Sequence, residues 1–361
     1  MTTTQSFRPL RSVLIATAMF LLLTAGWVGL VRMGWQMPAF RPTLPGVHGP
    51  LMVSGFLGTL IGLERAVGLA NQGWAYSAPV LTGLGALGLV FGLPEVPSAI
   101  AIVLGSAVMV GVFLYIIRHQ PLLHSYAMMI AAVAWFVGNL LWLFGVPIST
   151  VASWWAGYLI LTIAGERLEL SRLIFLSEFK KGLFLAATGL LLAGCTVTVF
   201  DYTLGWRITG LGMIALAVWL LQNDIARRTV AQTGLTRFIA VCMLSGYVWL
   251  GIGGVLATWY GFLTGGTYDA VLHSVFLGFV FSMIFGHAPI IFPAVLNVPI
   301  PYRAAFYAHL ALLHVSMLLR AGAGVLDWYP GRLWGAMLNG IALLLFIGNT
   351  VAAAASARRR V

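Results

Sequence analysis

Runs of about twenty apolar residues, separated by short stretches that hold most of the few charged side chains, follow one another along the whole chain. Each run is long enough to cross about 30 Å of hydrocarbon as an α-helix rising 1.5 Å per residue. Twelve are read, at about 12–32, 48–69, 77–94, 98–117, 124–145, 149–166, 181–200, 207–223, 236–258, 269–288, 304–321 and 333–353. The predicted fold is all-α: a polytopic integral membrane protein of about 12 transmembrane helices. One domain over residues 1–361 is expected, since no linker or low-complexity tract interrupts the pattern. The first run follows Arg8 and Arg11 as a signal peptide would, yet it leads into Arg32-Met33-Gly34-Trp35 with no small-residue cleavage site. A retained helix is expected.

Composition agrees, with 60% hydrophobic and 8% charged residues and a mean hydropathy of +0.97. Soluble domains carry about a quarter charged residues, so a soluble enzyme or binding module is excluded. The net charge of +11 is distributed by topology. With a cytoplasmic N-terminus, the inner ends collect Arg8, Arg11, Arg65, Arg118, Arg167, Arg172, Lys180, Lys181, Arg227, Arg228, Arg237, Arg303 and Arg358 to Arg360, and the outer ends only Arg32, Arg41, Arg207, Arg320 and Arg332. The positive-inside rule then puts both termini in the cytoplasm of a bacterial-type inner membrane. The charges are attracted to anionic lipid heads of the bilayer. They never form the aromatic-interleaved patch that nucleic acid requires, so no nucleic-acid partner is expected. Cys195 and Cys242 lie in separate apolar runs and read as free core thiols.

Runs two, six and ten end alike, in "GTLIGLERA", "ILTIAGERLEL" and "FSMIFGHAP", closing on Glu64, Glu166 and His287. The spacing suggests a threefold pseudo-repeat of four helices. A chance likeness of Gly-rich helix ends is the alternative.

The candidate chemistry rests on seven histidines, because an ionisable group within a bilayer is costly. His48 opens run two and His273 lies about one turn inside run ten, both on the outer side. Two imidazoles at similar depth on different helices satisfy the requirement for bis-histidine ligation of a haem. Gly49, Ser54, Gly55, Ser274 and Gly278 would let a flat macrocycle approach the backbone. The bland alternative is an interfacial histidine bonded to a loop carbonyl. His287 closes run ten on the inner side, and fourteen residues of regular helix bring it back to within roughly 40° of the face of His273. His309, in run eleven, joins it as a second, inner candidate site. His314 is about 140° around the helix from His309 and cannot share its site. His119 and His124 flank "QPLL" and read as exposed loop residues. Glu166, Arg167, Glu169 and Arg172 read as a solvated inner helix extension with a Glu169–Arg172 pair, or as a proton entry or propionate anchor.

With "HGPLMVSGFLG" opening run two and "DAVLHSVFLGFVFSMIFGHA" as run ten, the chain resembles the NnrS-like haem and copper membrane proteins, similar in plan to subunit I of haem-copper oxidases. The resemblance implies a low-spin haem b held by His48 and His273, and work in nitric oxide or nitrogen-oxide stress or in membrane redox chemistry, with nitric oxide or a membrane electron donor as partner. Run six has no His and run seven no His-His pair, so the oxidase copper site lacks its imidazoles and copper stays an open question. Run ten has one outer histidine where the oxidases use two. An oxygen reductase is not expected. A transporter without haem, and a purely structural subunit, are the competing readings.

Overall fold

The computed structural model describes residues 7–38, 41–69, 72–170, 176–296 and 298–358. Twelve helices in it are long and apolar enough to cross a membrane: α1 (Pro9–Met33), α2 (Leu44–Gly68), α3 (Gly73–Phe91), α4 (Glu95–His119), α5 (Leu123–Leu143), α6 (Ile148–Leu170), α7 (Glu178–Val197), α8 (Tyr202–Asn223), α9 (Gly234–Tyr260), α10 (Gly265–Leu296), α11 (Phe306–Val325) and α12 (Tyr329–Ala357). No strand occurs among the described residues. The all-helical polytopic architecture read from hydropathy is therefore what the chain adopts. Arg172, Arg359 and Arg360, three of the inner basic residues, lie outside the described residues, and with Arg172 goes its pairing with Glu169.

Packing divides the chain into two compact units, Met1–Tyr158 and Leu159–Val361, and the division falls inside the continuous helix α6. In the first unit α1 to α5 pack each on the next, and in the second α7 to α12 do the same. Helix ends are set by local chemistry. Ser177 accepts a hydrogen bond from the Lys180 amide at the start of α7, Asp201 one from Leu204 at the start of α8, and Thr264 and Thr267 form a reciprocal capping box at the start of α10. Gly34 closes α1 with φ +108° and Gly92 closes α3 with φ +85°, left-handed conformations that glycine adopts without strain.

Lipid tails are as apolar as leucine, so the hydrophobic effect does not draw these helices together; close packing does. In the second unit backbones meet at glycine. A Cβ on Gly210 would collide with the Gly254 carbonyl of α9, and one on Gly324 of α11 with the Gly266 carbonyl of α10.

Among the described residues two helices, α2 and α10, depart from regular geometry, and they carry His48 and His273. α2 is π-helical over Leu51–Gly58 and α10 over Ser274–Phe281, directly after His48-Gly49-Pro50 and after His273. In each a glycine lies under an indole from a neighbouring helix, Gly58 under Trp135 of α5 and Gly278 under Trp249 of α9. The wide turns recur eight spans apart, as a repeat of four helices requires. α6, four spans from each, lacks one. In a π-turn the i→i+5 ring is wider and each residue turns the chain by less than 100°. The common face computed for His273 and His287 on a regular helix does not survive those eight residues. α10 also continues past its expected end, through Pro289 and Pro293 to Leu296.

Gly324→Val should destabilise the protein by about 1–3 kcal/mol, since its neighbour is backbone and cannot yield. Gly322→Val, two residues away with nothing within 4 Å of its would-be Cβ, should be close to neutral. Thermal unfolding of the two variants in the same detergent makes the comparison, and equal midpoints would refute the backbone contact.

Candidate functional site

The densest polar cluster is built by three helices around Arg320. In the first turns of α10, Asp269 stands four residues before His273, one helical turn apart on the same face. Arg320 of α11 meets Asp269 with two parallel bonds, Nε to Oδ2 at 2.9 Å and Nη2 to Oδ1 at 2.8 Å. Its Nη1 donates to Oδ1 of Asn339 on α12 at 3.2 Å, and Asn339 Nδ2 donates to Ser316 Oγ at 2.6 Å. Arg320 is 6% and Asp269 8% exposed, so charge that would be expensive in hydrocarbon is neutralised within the cluster.

His273 completes this arrangement. Its Nδ1 lies 2.9 Å from the Asp269 carbonyl and 3.1 Å from Asp269 Oδ1, and its Nε2 lies 3.1 Å from Arg320 Nη2. A guanidinium can only donate, so Nε2 must be the acceptor and the proton must sit on Nδ1. The contacts thereby select one tautomer, with the Nε2 lone pair pointed at a cation.

His48 is positioned by the other unit. Its Nδ1 lies 2.9 Å from the Ala25 carbonyl of α1, and its ring rests on Gly29, where a Cβ would strike it. Below it, Ser54 donates to Asn139 Oδ1 at 3.0 Å and accepts from the Trp135 indole at 3.1 Å, while the Trp155 indole donates to the same Asn139 oxygen at 3.0 Å. His48 belongs to the first unit and His273 to the second, and each has its own partners.

The inner candidates take different partners as well. His287 sets Nδ1 2.9 Å from the carbonyl of Met283, one turn back on α10. His309 is 1% exposed, with Nδ1 3.1 Å from Asn349 Nδ2 of α12, and the rings of Phe238, Phe285, Phe306 and Phe346 stand around it at 4.7 to 6.1 Å. His314 turns to α9 and lies between the Trp249 indole at 3.0 Å and Ser245 Oγ at 2.9 Å, so the two α11 histidines do serve different faces. His119 is the exposed end of α4, as a loop residue would be. His124 is not: it lies within α5 and is 5% exposed. The Gln120–Leu122 connection is short enough for helix packing to enclose the residue that follows it.

Glu169 is exposed, as a solvated helix extension requires, but Arg167 departs from that expectation and is buried in a second ion pair. Arg167 of α6 meets Asp224, just past α8, with Nε to Oδ2 at 2.6 Å and Nη2 to Oδ1 at 2.9 Å. The Tyr247 hydroxyl adds a bond to Oδ2 at 2.8 Å and the Ala226 amide one to Oδ1 at 2.6 Å. Arg167 is 5% and Asp224 4% exposed. Cys195 and Cys242 are buried and form no disulfide. Among the described residues no three His, Cys, Asp or Glu side chains gather to hold a metal ion.

A family model described as a domain of unknown function (DUF8744) matches residues 11–355. The chain belongs to the DUF8744 family. No curated protein and no solved structure matches it. The matched span of this DUF8744 protein takes in all twelve helices but for the ends of α1 and α12, and with them both buried ion pairs.

Sequence reasoning missed Asp269 and Arg320 as a pair, although the signal was there: a carboxylate one turn before a histidine, and a single arginine inside an apolar run. Asp269→Ala should cost about 3–5 kcal/mol by leaving the Arg320 guanidinium buried without its partner. The double variant Asp269→Leu with Arg320→Met, which removes both charges, should recover most of the folded yield. Detergent-solubilised yield and thermal midpoint report both. A double variant no better than Asp269→Ala would show that the pair does more than neutralise itself.

Proposed function

We propose that this DUF8744 protein is a haem-binding membrane protein of the NnrS-like type, acting in nitric oxide or nitrogen-oxide stress or in membrane redox chemistry. His48 and His273 are its axial candidates for a haem b. The observation that carries the reading is the tautomer of His273. With Nδ1–H bound to the carbonyl and carboxylate of Asp269, the nitrogen left to bind iron is Nε2, as in imidazoles oriented for a metal by a carboxylate behind them. His48 likewise sets Nδ1 on a backbone carbonyl, that of Ala25. The arrangement of the His273 ring therefore fits a haem, with one condition. Arg320 Nη2, which also donates to Asp269 Oδ1, meets Nε2 of His273 and has to withdraw from it.

The haem would supply one-electron chemistry and an iron able to bind nitric oxide. The chain's part is to fix the orientation of both imidazoles and exclude water with apolar helices. His287 and His309 stay as candidates for a second, inner site, His287 being set in the same Nδ1-bonded way. A transporter without haem is the second reading. The contact between Arg320 and His273 Nε2 favours it, because an imidazole with protein partners on both nitrogens needs no iron.

A pyridine haemochrome assay on protein purified from haem-replete cells separates the two. Stoichiometric haem is expected in the wild type, and His48→Ala and His273→Ala should each lose the low-spin spectrum while remaining in the membrane. Wild type free of haem, or unchanged haem in both variants, would end this reading. The same proposal puts the protein in a bacterial-type inner membrane with both termini in the cytoplasm. A reporter fused after Val361 that is active only in the periplasm would reverse that orientation.

A further inference from the structure

The start of α7 and the end of α8 enclose a cavity of about 350 Å³ whose walls include Lys180, Gln222, Arg227 and Arg228, with Asp224 at its floor. The acid does not serve the cations around it. Both Asp224 oxygens are engaged by Arg167, Tyr247 and the Ala226 amide, and the carboxylate is buried. Glu178, the nearest acid in sequence to Lys180, pairs with Lys181 at 2.6 Å. Among the described residues no carboxylate lies within ion-pair distance of Lys180, Arg227 or Arg228. Arg227 is held at the rim by a 3.1 Å bond from Nη1 to the Gln222 carbonyl, which leaves Nε and Nη2 for a ligand.

Three cations therefore converge on one cavity whose lining carboxylate, Asp224, is engaged by other groups. Like charges brought together cost energy unless something negative joins them, and basic pockets between membrane helices are where phosphate-bearing groups bind. Arginine supplies forked donors that match phosphate oxygens, and Lys180 a point charge. Phe179, beside Lys180, is 74% exposed, as is common for a ring at the level of lipid headgroups.

We infer that this cavity is a binding site for a phosphate group, carried either by an anionic phospholipid or by a soluble phosphate. It is independent of the haem reading, since none of its residues belongs to the histidine sites.

The test uses full-length protein and the triple variant Lys180→Gln, Arg227→Gln, Arg228→Gln. A control with the same loss of charge, Arg118→Gln, Arg237→Gln, Arg303→Gln, changes exposed basic residues that do not line the cavity. In the first arm, nanodiscs of neutral phospholipid with increasing phosphatidylglycerol are followed by thermal midpoint and by lipid adducts in native mass spectrometry. In the second, inorganic phosphate is titrated into protein in neutral detergent. Wild type and control should be stabilised in at least one arm, and the cavity variant should bind roughly a hundredfold more weakly there, at about fivefold for each lost cation. Response to phosphatidylglycerol alone assigns a lipid headgroup; response to inorganic phosphate assigns a soluble ligand. Equal behaviour of cavity variant and control, or no response of the wild type in either arm, would overturn the site.

Discussion

A charge inside hydrocarbon must find its opposite inside the protein, because neither water nor lipid will supply one. Two arginine–aspartate pairs meet that requirement here, and much of the second unit is arranged around them. Arg320, Asp269, His273, Asn339 and Ser316 tie α10, α11 and α12 together, and Arg167, Asp224 and Tyr247 tie α6 and α9 to the end of α8. Such pairs add little net stability over apolar residues of the same volume, but they enforce register, since a helix that slides strands a charge. Glycine contacts such as Gly266 on Gly324 then let the backbones close to the distance the pair demands.

The same requirement shapes each imidazole. In an apolar setting a ring N–H gains from an acceptor, and His273 and His287 set Nδ1 on the carbonyl one turn back on their own helix. His48, which follows the single 3-10 turn Leu44–Val47, reaches to Ala25 on α1 instead. The tautomer that results is a consequence of burial, and it is also what a metal ligand needs. Structure and chemistry thus point the same way at His273, where Asp269 serves as counter-ion to Arg320 and as orienting group for the imidazole. In the π-helical stretches that follow His48 and His273 an indole lies on a glycine, Trp135 on Gly58 and Trp249 on Gly278.

How much of this could be read in the chain depends on the range of the physics involved. Twelve spans follow from hydropathy alone, because length and apolarity are local properties and the bilayer imposes one thickness on every segment. The separate faces of His309 and His314 also follow from helical period, since α11 is regular. Which arginine is buried does not follow. Arg167 and Arg320 sit near the ends of apolar runs, where a long side chain can reach water or turn inward. Only the positions of Asp224 and Asp269 on other turns of the chain decide that they turn inward. His124 is enclosed for a similar reason: two residues past a short connection, it is covered by helix packing that no local signal announces. The alignment of His273 with His287 depended on 3.6 residues per turn, and the π-helical stretch Ser274–Phe281 lies between them. The sequence by itself determined the membrane class, the number of helices and the residue types capable of chemistry. Tertiary structure decided which charges pair and which nitrogen each histidine presents, because those are settled by groups far apart in the chain that must satisfy one another where no solvent can.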